Sequence, residues 1–236
     1  MKNSFGKIVD INELAQYFHN GMSIMFGGFG GIGTPPSLIN FILQLNIGDL
    51  TLIGNDTGFP DIGIGRLVTA KRATKLVVSH IGSNPNAGKQ MTDGEIDIEF
   101  SPQGILMERI RAGGSGIKGF LSDIGVDHEA VRLSKQAVMV DGEHFLLETA
   151  LTADISVVYA QYADEFGNLI YDKSARNTNP IVATAGDITI VEAENIVPLG
   201  ELHPEEIITP GVFVDYIVQS EGVNWKWVWE QTLDKK

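Results

Sequence analysis

Residues 23–39 read SIMFGGFGGIGTPPSLI. An apolar run leads into Gly28, Gly30 and Gly33, which spell G-x-G-x-x-G, and a second apolar run follows two prolines. Strand, glycine turn, helix is the order of a dinucleotide-binding turn. There the third glycine lies inside the helix and an acidic residue ends the next strand. Asp56 meets the second condition, at the end of a strand predicted over LTLIGND. The first condition fails. Residues ahead of proline avoid helical angles, so Gly33 and Thr34 are expected to stay in the loop before Pro35 and Pro36. Proline suits a first helical turn, which starts the helix SLINFILQL there. Two readings stay open: a loop shaped only for close strand-to-helix packing, or one whose glycines let backbone N–H groups approach a ligand.

Outward from this stretch the pattern alternates. Upstream, Asp10 and Glu13 have capping-box spacing before INELAQYFHN, a predicted helix that Gly21 ends. Downstream, GIGRLVTAK reads as a helix, KLVVSH as a strand, NPNAGKQMTDG as a helical turn and IDIEF as a strand. Ser101 then caps a helix over PQGILMERIRA. The middle is glycine-rich and holds a predicted hairpin around Asp141-Gly142. The strands ISVVYAQYAD, LIY and ITIVEAE follow, with a helix around PIVATAGD and a last turn and strand in ITPGVFVDYIVQ. This is an α/β fold: an open, largely parallel sheet flanked by helices, with an inserted glycine-rich hairpin segment. One domain over 1–218 and a tail over 219–236 are expected, with no internal repeat. An extended tail would put Trp225, Trp227 and Trp229 on one side, packed on a partner or on the chain itself.

Composition narrows the function. There is no cysteine among 236 residues, which removes disulfides, thiolate nucleophiles and cysteine metal sites. A net charge of −13 repels phosphate backbones, so nucleic acid is not an expected partner. A polyphosphate ligand would need helix N-termini or a second chain for its positive field. No apolar run has membrane-spanning length, and the first residues lack the apolar centre of a signal peptide, so a cytoplasmic location is expected. His19, His144 and His203 have no zinc spacing, and His80 reads as structural. Ser115-x-x-Lys118 spells the S-x-x-K of some acyl-serine enzymes without their companion motifs.

A longer word encloses the glycines: Asn20-Gly21, two residues, Ile24-Met25-Phe26, Gly27-Gly28-Phe29, three residues, Gly33, one residue, Pro35. It resembles the signature of the family I coenzyme A transferases, α-subunit type. Similar blocks are TLIGNDTG at 51–58, DIGIGRLV at 61–68, SHIGSNPNAGKQM at 79–91, SPQGILMERIRAGGSG at 101–116, SARNTNP at 174–180 and ITPGVFVDYIV at 208–218. The wording NDTG followed by GIG is closest to the acetate- or butyrate–acetoacetate type.

That resemblance implies covalent catalysis without metal or redox cofactor, the CoA thioester being the substrate. A glutamate attacks the thioester, and a glutamyl-CoA thioester forms through an acyl-glutamyl anhydride. The glutamate belongs to a Ser-Glu-Asn-Gly motif on a partner β subunit, and this chain contains no such motif. The resemblance thus implies a heteromer, of α2β2 type, with no catalytic nucleophile here. Asn55 and Asp56 stand where the partner keeps its own motif. They shape the pocket, or Asp56 is itself the nucleophile. Gln103 donates to a carboxylate or thioester oxygen, or only braces its helix. Gly27, Gly28 and Phe29 line the acyl or pantetheine chain, and Gly113 and Gly114 are further pocket candidates. Residues 118–128 depart from the family wording, with Lys118, Asp127 and His128 in place of small residues. A sugar-phosphate isomerase of the same broad fold, with Asp56 and Lys89 as acid–base and clamp, and a non-catalytic binding chain are the rival readings.

Overall fold

The computed structural model describes residues 3–132 and 135–225. The strands are β1 (Ser23–Phe26), β2 (Leu50–Ile53), β3 (Ala73–Val78), β4 (Asp97–Phe100), β5 (Gly119–Ser122), β6 (Ala137–Val140), β7 (Glu143–Thr149), β8 (Ala153–Asp164), β9 (Leu169–Ile170), β10 (Gly186–Val197) and β11 (Tyr216–Gln219). Among the described residues the main sheet is ordered β11-β10-β8-β1-β2-β3-β4, with β9 paired to β8. Every pair along that path is parallel; only β8–β9 is antiparallel. The expected open, largely parallel sheet is therefore present, with the predicted hairpin in a separate antiparallel sheet β5-β7-β6.

The apolar triplet Ile24-Met25-Phe26 explains the centre of the sheet. Ile24 and Phe26 point into one core and Met25 into the other, so β1 is buried on both faces, as a central parallel strand must be. The first core packs α1 (Pro36–Gln44), α2 (Gly65–Thr69) and α3 (Pro85–Thr92) on one face. The second packs α4 (Gln103–Gly114) on the other, through Leu106, Met107 and Ile110.

Helix α1 starts at Pro36, as expected, but Pro35 offers no side-chain cap. The cap comes from β10, two strands away from β1 on the same face of the sheet. Glu192 of β10 is fully buried and accepts the N–H groups of Ser37 (2.7 Å) and Leu38 (3.1 Å), the Ser37 hydroxyl (2.8 Å) and the Ser220 hydroxyl (2.6 Å). Burial pushes its carboxyl up, and those four donors only partly offset this. Glu192→Ala orphans two helix N–H groups and two hydroxyls. It is expected to lower unfolding stability by roughly 2–4 kcal/mol in urea titrations, while Glu192→Gln, which keeps an acceptor, loses less than half of that.

Some local expectations need correction. INELAQY forms a 3-10 helix (Ile11–Tyr17) with the predicted Asp10–Glu13 capping box, but it ends at Phe18 rather than at Gly21. Gly21, at φ +79°, instead turns the chain into β1. Ser101 does not cap α4: Pro102 is the cap residue, and the buried Ser101 hydroxyl has no partner among the described residues. The NPNAGKQMTDG stretch is a full two-turn helix, capped by the Asn84 side chain on the Asn86 N–H. The expected boundary after residue 218 falls inside β11.

The small sheet is bolted to edge strand β4 by charge. Arg109 of α4, 4% exposed, donates to Glu99 (2.7 Å) and to the Thr149 carbonyl (2.7 Å), while Lys135 meets the buried Glu148 at 2.6 Å. Burial pushes Glu99 up, but the Arg109 guanidinium and Lys75 outweigh it and hold it below the usual carboxylate range. At the start of the sheet, Asp154 accepts the Ser23 N–H (2.7 Å) and hydroxyl (2.8 Å), which hold it low despite partial burial. Carboxylates held below their unfolded values stabilise the fold above those values, and the contribution is lost as pH falls through the folded ones. Thermal stability is thus expected to drop below about pH 4. A Glu99→Gln, Asp154→Asn double variant should show a shallower acid limb by calorimetry.

Candidate functional site

The chain order away from β1 reverses beside it: β2, β3 and β4 lie on one side, β8, β10 and β11 on the other. Open parallel sheets bind ligands outside the strand ends at such a switch point. The loop at that point is the glycine loop. Phe29 and Ile32 face each other as a bridge, with N–H···O distances of 2.9 and 3.1 Å. Between them Gly30 (φ +58°) and Gly31 (φ +91°) make a primed two-residue turn, which needs positive φ at both positions and therefore glycine. Gly33 (φ +78°) is still loop, as the prolines predicted, so the dinucleotide reading fails on geometry.

The loop after β2 repeats this shape. G-F-x-x-I-G occurs at 28–33 and again at 58–63, and Phe59 and Ile62 form a second bridge. The expectation of no internal repeat is corrected here. With Pro60 and Asp61 at its tip the second turn lacks the positive φ pair, and its two bonds stretch to 3.3 Å. The two turns pack side by side. A Cβ on Gly31 would sit 2.6 Å from the Ile62 side chain.

Asp56 ties them together. It is buried, and its Oδ2 accepts the Gly30 N–H (2.7 Å) and the Asn55 amide (2.9 Å), while Oδ1 accepts the Gly58 N–H (2.7 Å). From the β3 side, Ser79 donates to the Asn55 carbonyl (2.6 Å), Ser83 to that of Gly58 (2.6 Å), and Asn84 to that of Thr57 (3.1 Å). The other side is held by three consecutive residues from 145 to 150 positions downstream. Asn177 donates to the Ile32 carbonyl (2.9 Å). The Thr178 hydroxyl accepts from the Gly28 N–H (3.0 Å) and donates to its carbonyl (3.1 Å). The fully buried Asn179 donates to the Gly33 carbonyl (2.9 Å) and accepts the Tyr159 N–H (3.0 Å). This brace was not foreseen beyond its inclusion in SARNTNP. Its only sequence signal is three adjacent hydrogen-bonding side chains in a loop.

Of the expected site residues, Gly27, Gly28, Phe29, Asn55 and Asp56 are brought together at the ends of β1 and β2. Gln103 opens α4 after β4, two strands further along the same edge, exposed. Phe29 is 51% exposed at the turn's tip. Gly113 and Gly114 are not in this group, and that expectation is corrected. They end α4 at the opposite edge, where a Cβ would meet the Leu151 carbonyl at 2.0 Å and the Thr184 hydroxyl at 2.1 Å, just before β8 and β10 begin. Their lack of side chains serves chain packing. Residues 118–128 form β5 and the turn after it in the small sheet, away from the strand-end loops. Trp225 packs on its own chain: its indole donates to the Thr34 carbonyl (3.0 Å) and meets the Tyr159 ring edge-on at 4.5 Å. Trp227 and Trp229 lie outside the described residues.

Chemically this is a rigid wall of backbone and amides. The space enclosed among Phe26, Gly27, Gly31, Asn55, Asp56 and Ile64 is about 10 Å³, room for one water at most. The buried Asn55 Oδ1 and Thr57 hydroxyl have no partner among the described residues. Both oxygens of Asp56 accept hydrogen bonds from the chain's own donors, so its carboxylate ties the two turns to each other.

Residues 8–220 match the family model described as Coenzyme A transferase. The chain is 56% identical over 226 residues to the Bacillus subtilis protein named "Probable coenzyme A transferase subunit alpha", covering 96% of this chain and 99% of that one. It is 45% identical over 213 residues to the acetoacetyl-CoA:acetate/butyrate CoA transferase alpha subunit of Clostridium acetobutylicum, covering 90% of this chain and 97% of that one. Among solved structures, an acyl-CoA transferase of Escherichia coli in thioester complex with CoA superposes with a TM-score of 0.83 at 21% identity, a likeness of fold. That match takes in 94% of this chain and 51% of the longer one. A parallel sheet with a glycine wall at its switch point, a signature enclosing that wall, and a match over most of the length lead to one conclusion: the chain belongs to the coenzyme A transferase family.

Proposed function

We propose that this chain is the α subunit of a cytoplasmic α2β2 coenzyme A transferase, with one transferase domain that runs through β11 and a tail after it. It moves CoA between acetoacetyl-CoA, or another short acyl-CoA, and a short-chain acid such as acetate or butyrate. The names of the relatives support the division into subunits, and the Clostridium relative's name supports the choice of acids.

In the proposed scheme a glutamate of the β subunit attacks the thioester carbonyl and CoA thiolate leaves, giving an acyl-glutamyl anhydride. The thiolate then attacks the glutamyl carbonyl and expels the first acid as its carboxylate. The second acid reverses these steps, and no metal or redox group enters. The α chain's part is to wall the chamber. Gly27, Gly28 and Phe29 exclude water beside the acyl group. Asn55 and Gln103 turn amides toward the oxygens that gain charge.

The observation that carries this reading is the state of Asp56. The carboxylate at the switch point is buried, and its two oxygens accept three hydrogen bonds from its own chain, which favours a positioning role over attack on a substrate. On this reading the attacking group comes from the partner chain. The purified chain is therefore expected to be inactive. Adding the β subunit should give ping-pong exchange of acetoacetyl-CoA with acetate and butyrate, faster than exchange of succinyl-CoA with acetoacetate. Turnover by the chain alone would refute the division of labour, and preference for succinyl-CoA would refute the substrate choice.

A further inference from the structure

The chain carries a net charge of −13, so a cation at the ligand-bearing edge of the sheet calls for a reason. The loops 27–35, 54–64, 79–84 and 101–102, which follow β1 to β4, contain no lysine or arginine. Segment 171–178, which braces the glycine loop, contains two: Lys173 and Arg176. Both line an open cavity of about 530 Å³ with Gln161, Tyr162, Tyr171 and Glu206.

These cations are not used up by the fold. Arg176 is exposed and makes no hydrogen bond or ion pair among the described residues. Lys173 has one ion partner, the neighbouring Asp172 at 3.0 Å, and is itself 86% exposed there. Glu206 is the only acid in the lining. Lys173 also takes φ +43°, an uncommon backbone conformation for a side-chain-bearing residue. The one-turn 3-10 helix Lys173–Arg176 thus presents both cations from a fixed frame that continues directly into Asn177, Thr178 and Asn179.

The cavity lies beyond the end of β1, beside the glycine loop, whose Gly33 packs on the Ala175 carbonyl. Phe26, which ends β1, pairs with Val157, whereas Gln161 and Tyr162 stand four and five residues beyond it on β8, about 13 Å or more along the strand. An acyl-CoA is the most highly charged anion in the proposed reaction. Its thioester and its nucleotide phosphates are at opposite ends of a pantetheine arm, and those phosphates carry most of the negative charge in the reaction. Arginine's planar fork matches phosphate oxygens, and lysine adds a point charge.

We infer that this cavity seats the nucleotide phosphates of the acyl-CoA, with Arg176 and Lys173 as the binding cations. The inference rests on the transferase reading above. The carboxylate of the acid substrate shares the same anion chemistry, and the test separates the two.

The α chain, wild type and K173A/R176A, is assembled with its β subunit and assayed with acetoacetyl-CoA, with acetoacetyl-pantetheine, which has no phosphates, and with varied acetate. The double variant is expected to raise the KM for acetoacetyl-CoA roughly 10- to 50-fold. The KM for acetate and turnover of the pantetheine ester should stay within about twofold of wild type. R176K should recover part of the loss. Equal loss on both thioesters, a rise confined to acetate, or no change would each overturn the inference. Calorimetric titration of CoA into both complexes keeps the two readings apart. Weakened CoA binding in a complex that exchanges nothing would sink the transferase reading alone. Unaltered binding in an active complex would sink this inference alone.

Discussion

Replacing Asp56 with alanine is expected to cut exchange by the assembled enzyme about 100-fold or more and to lower the chain's stability by roughly 3–5 kcal/mol. The side chain accepts three hydrogen bonds while buried, and two of them hold backbone N–H groups in different loops, at Gly30 and Gly58. Its loss frees the two glycine turns from each other and orphans both donors. Asp56→Asn keeps one acceptor oxygen, but its NH2 must then face a donor, so its loss falls between wild type and alanine. If Asp56 positions the wall, the kcat loss in each variant follows the loss of stability, and borohydride reduction during turnover leaves this chain unlabelled. A CoA-derived adduct on Asp56 would make it the attacking carboxylate.

The sequence made β1, α1 and the glycine loop legible because each rests on short-range rules. An apolar triplet buried on both faces, a proline pair that forbids helix before it, and glycines at positive φ all leave local marks. The capping box at Asp10 was legible for the same reason, and the hairpin at Asp141-Gly142 lies where its turn residues put it. The expectations that failed depended on where a segment sits rather than on what it is. Ser101 has the right type and position for a cap, yet Pro102 fixes the chain so that the hydroxyl points elsewhere. A glycine pair that admits a ligand and one that admits a neighbouring chain are spelled alike. Only the direction of α4, running away from the ligand edge, tells that Gly113 and Gly114 face Leu151 and Thr184.

The candidate site follows the same division. Gly27, Gly28, Asn55 and Asp56 were legible through the strand-end rule together with family wording. What holds them was not. Glu192 caps a helix that starts 156 positions before it, and Asn179 grips a loop 146 positions before it. No periodicity reports a hydrogen bond between such distant residues, although both side chains are fully buried and polar, the condition under which a specific partner is obligatory.

Asn179 therefore carries the second large effect. Asn179→Ala removes the acceptor of the Tyr159 N–H and the donors to the Gly33 and Ala175 carbonyls, and is expected to destabilise the chain by roughly 3–4 kcal/mol. Asn179→Asp preserves the size but aims a carboxylate at two carbonyl oxygens inside the fold. It should be worse than alanine at neutral pH and recover in acid, where the protonated group can donate to one of them. Gly27 supplies the sharper measurement. A Cβ there would lie 1.8 Å from the Asn179 amide oxygen, so Gly27→Ala alone should be poorly tolerated. In the Asn179→Ala background that oxygen is gone and the added methyl enters the space it leaves. The double variant should then be more stable than the sum of the two single losses by about 1–2 kcal/mol in urea titrations. Strict additivity would mean that the brace and the glycine loop are not in contact, and the wall proposed for the thioester chamber would lose its support.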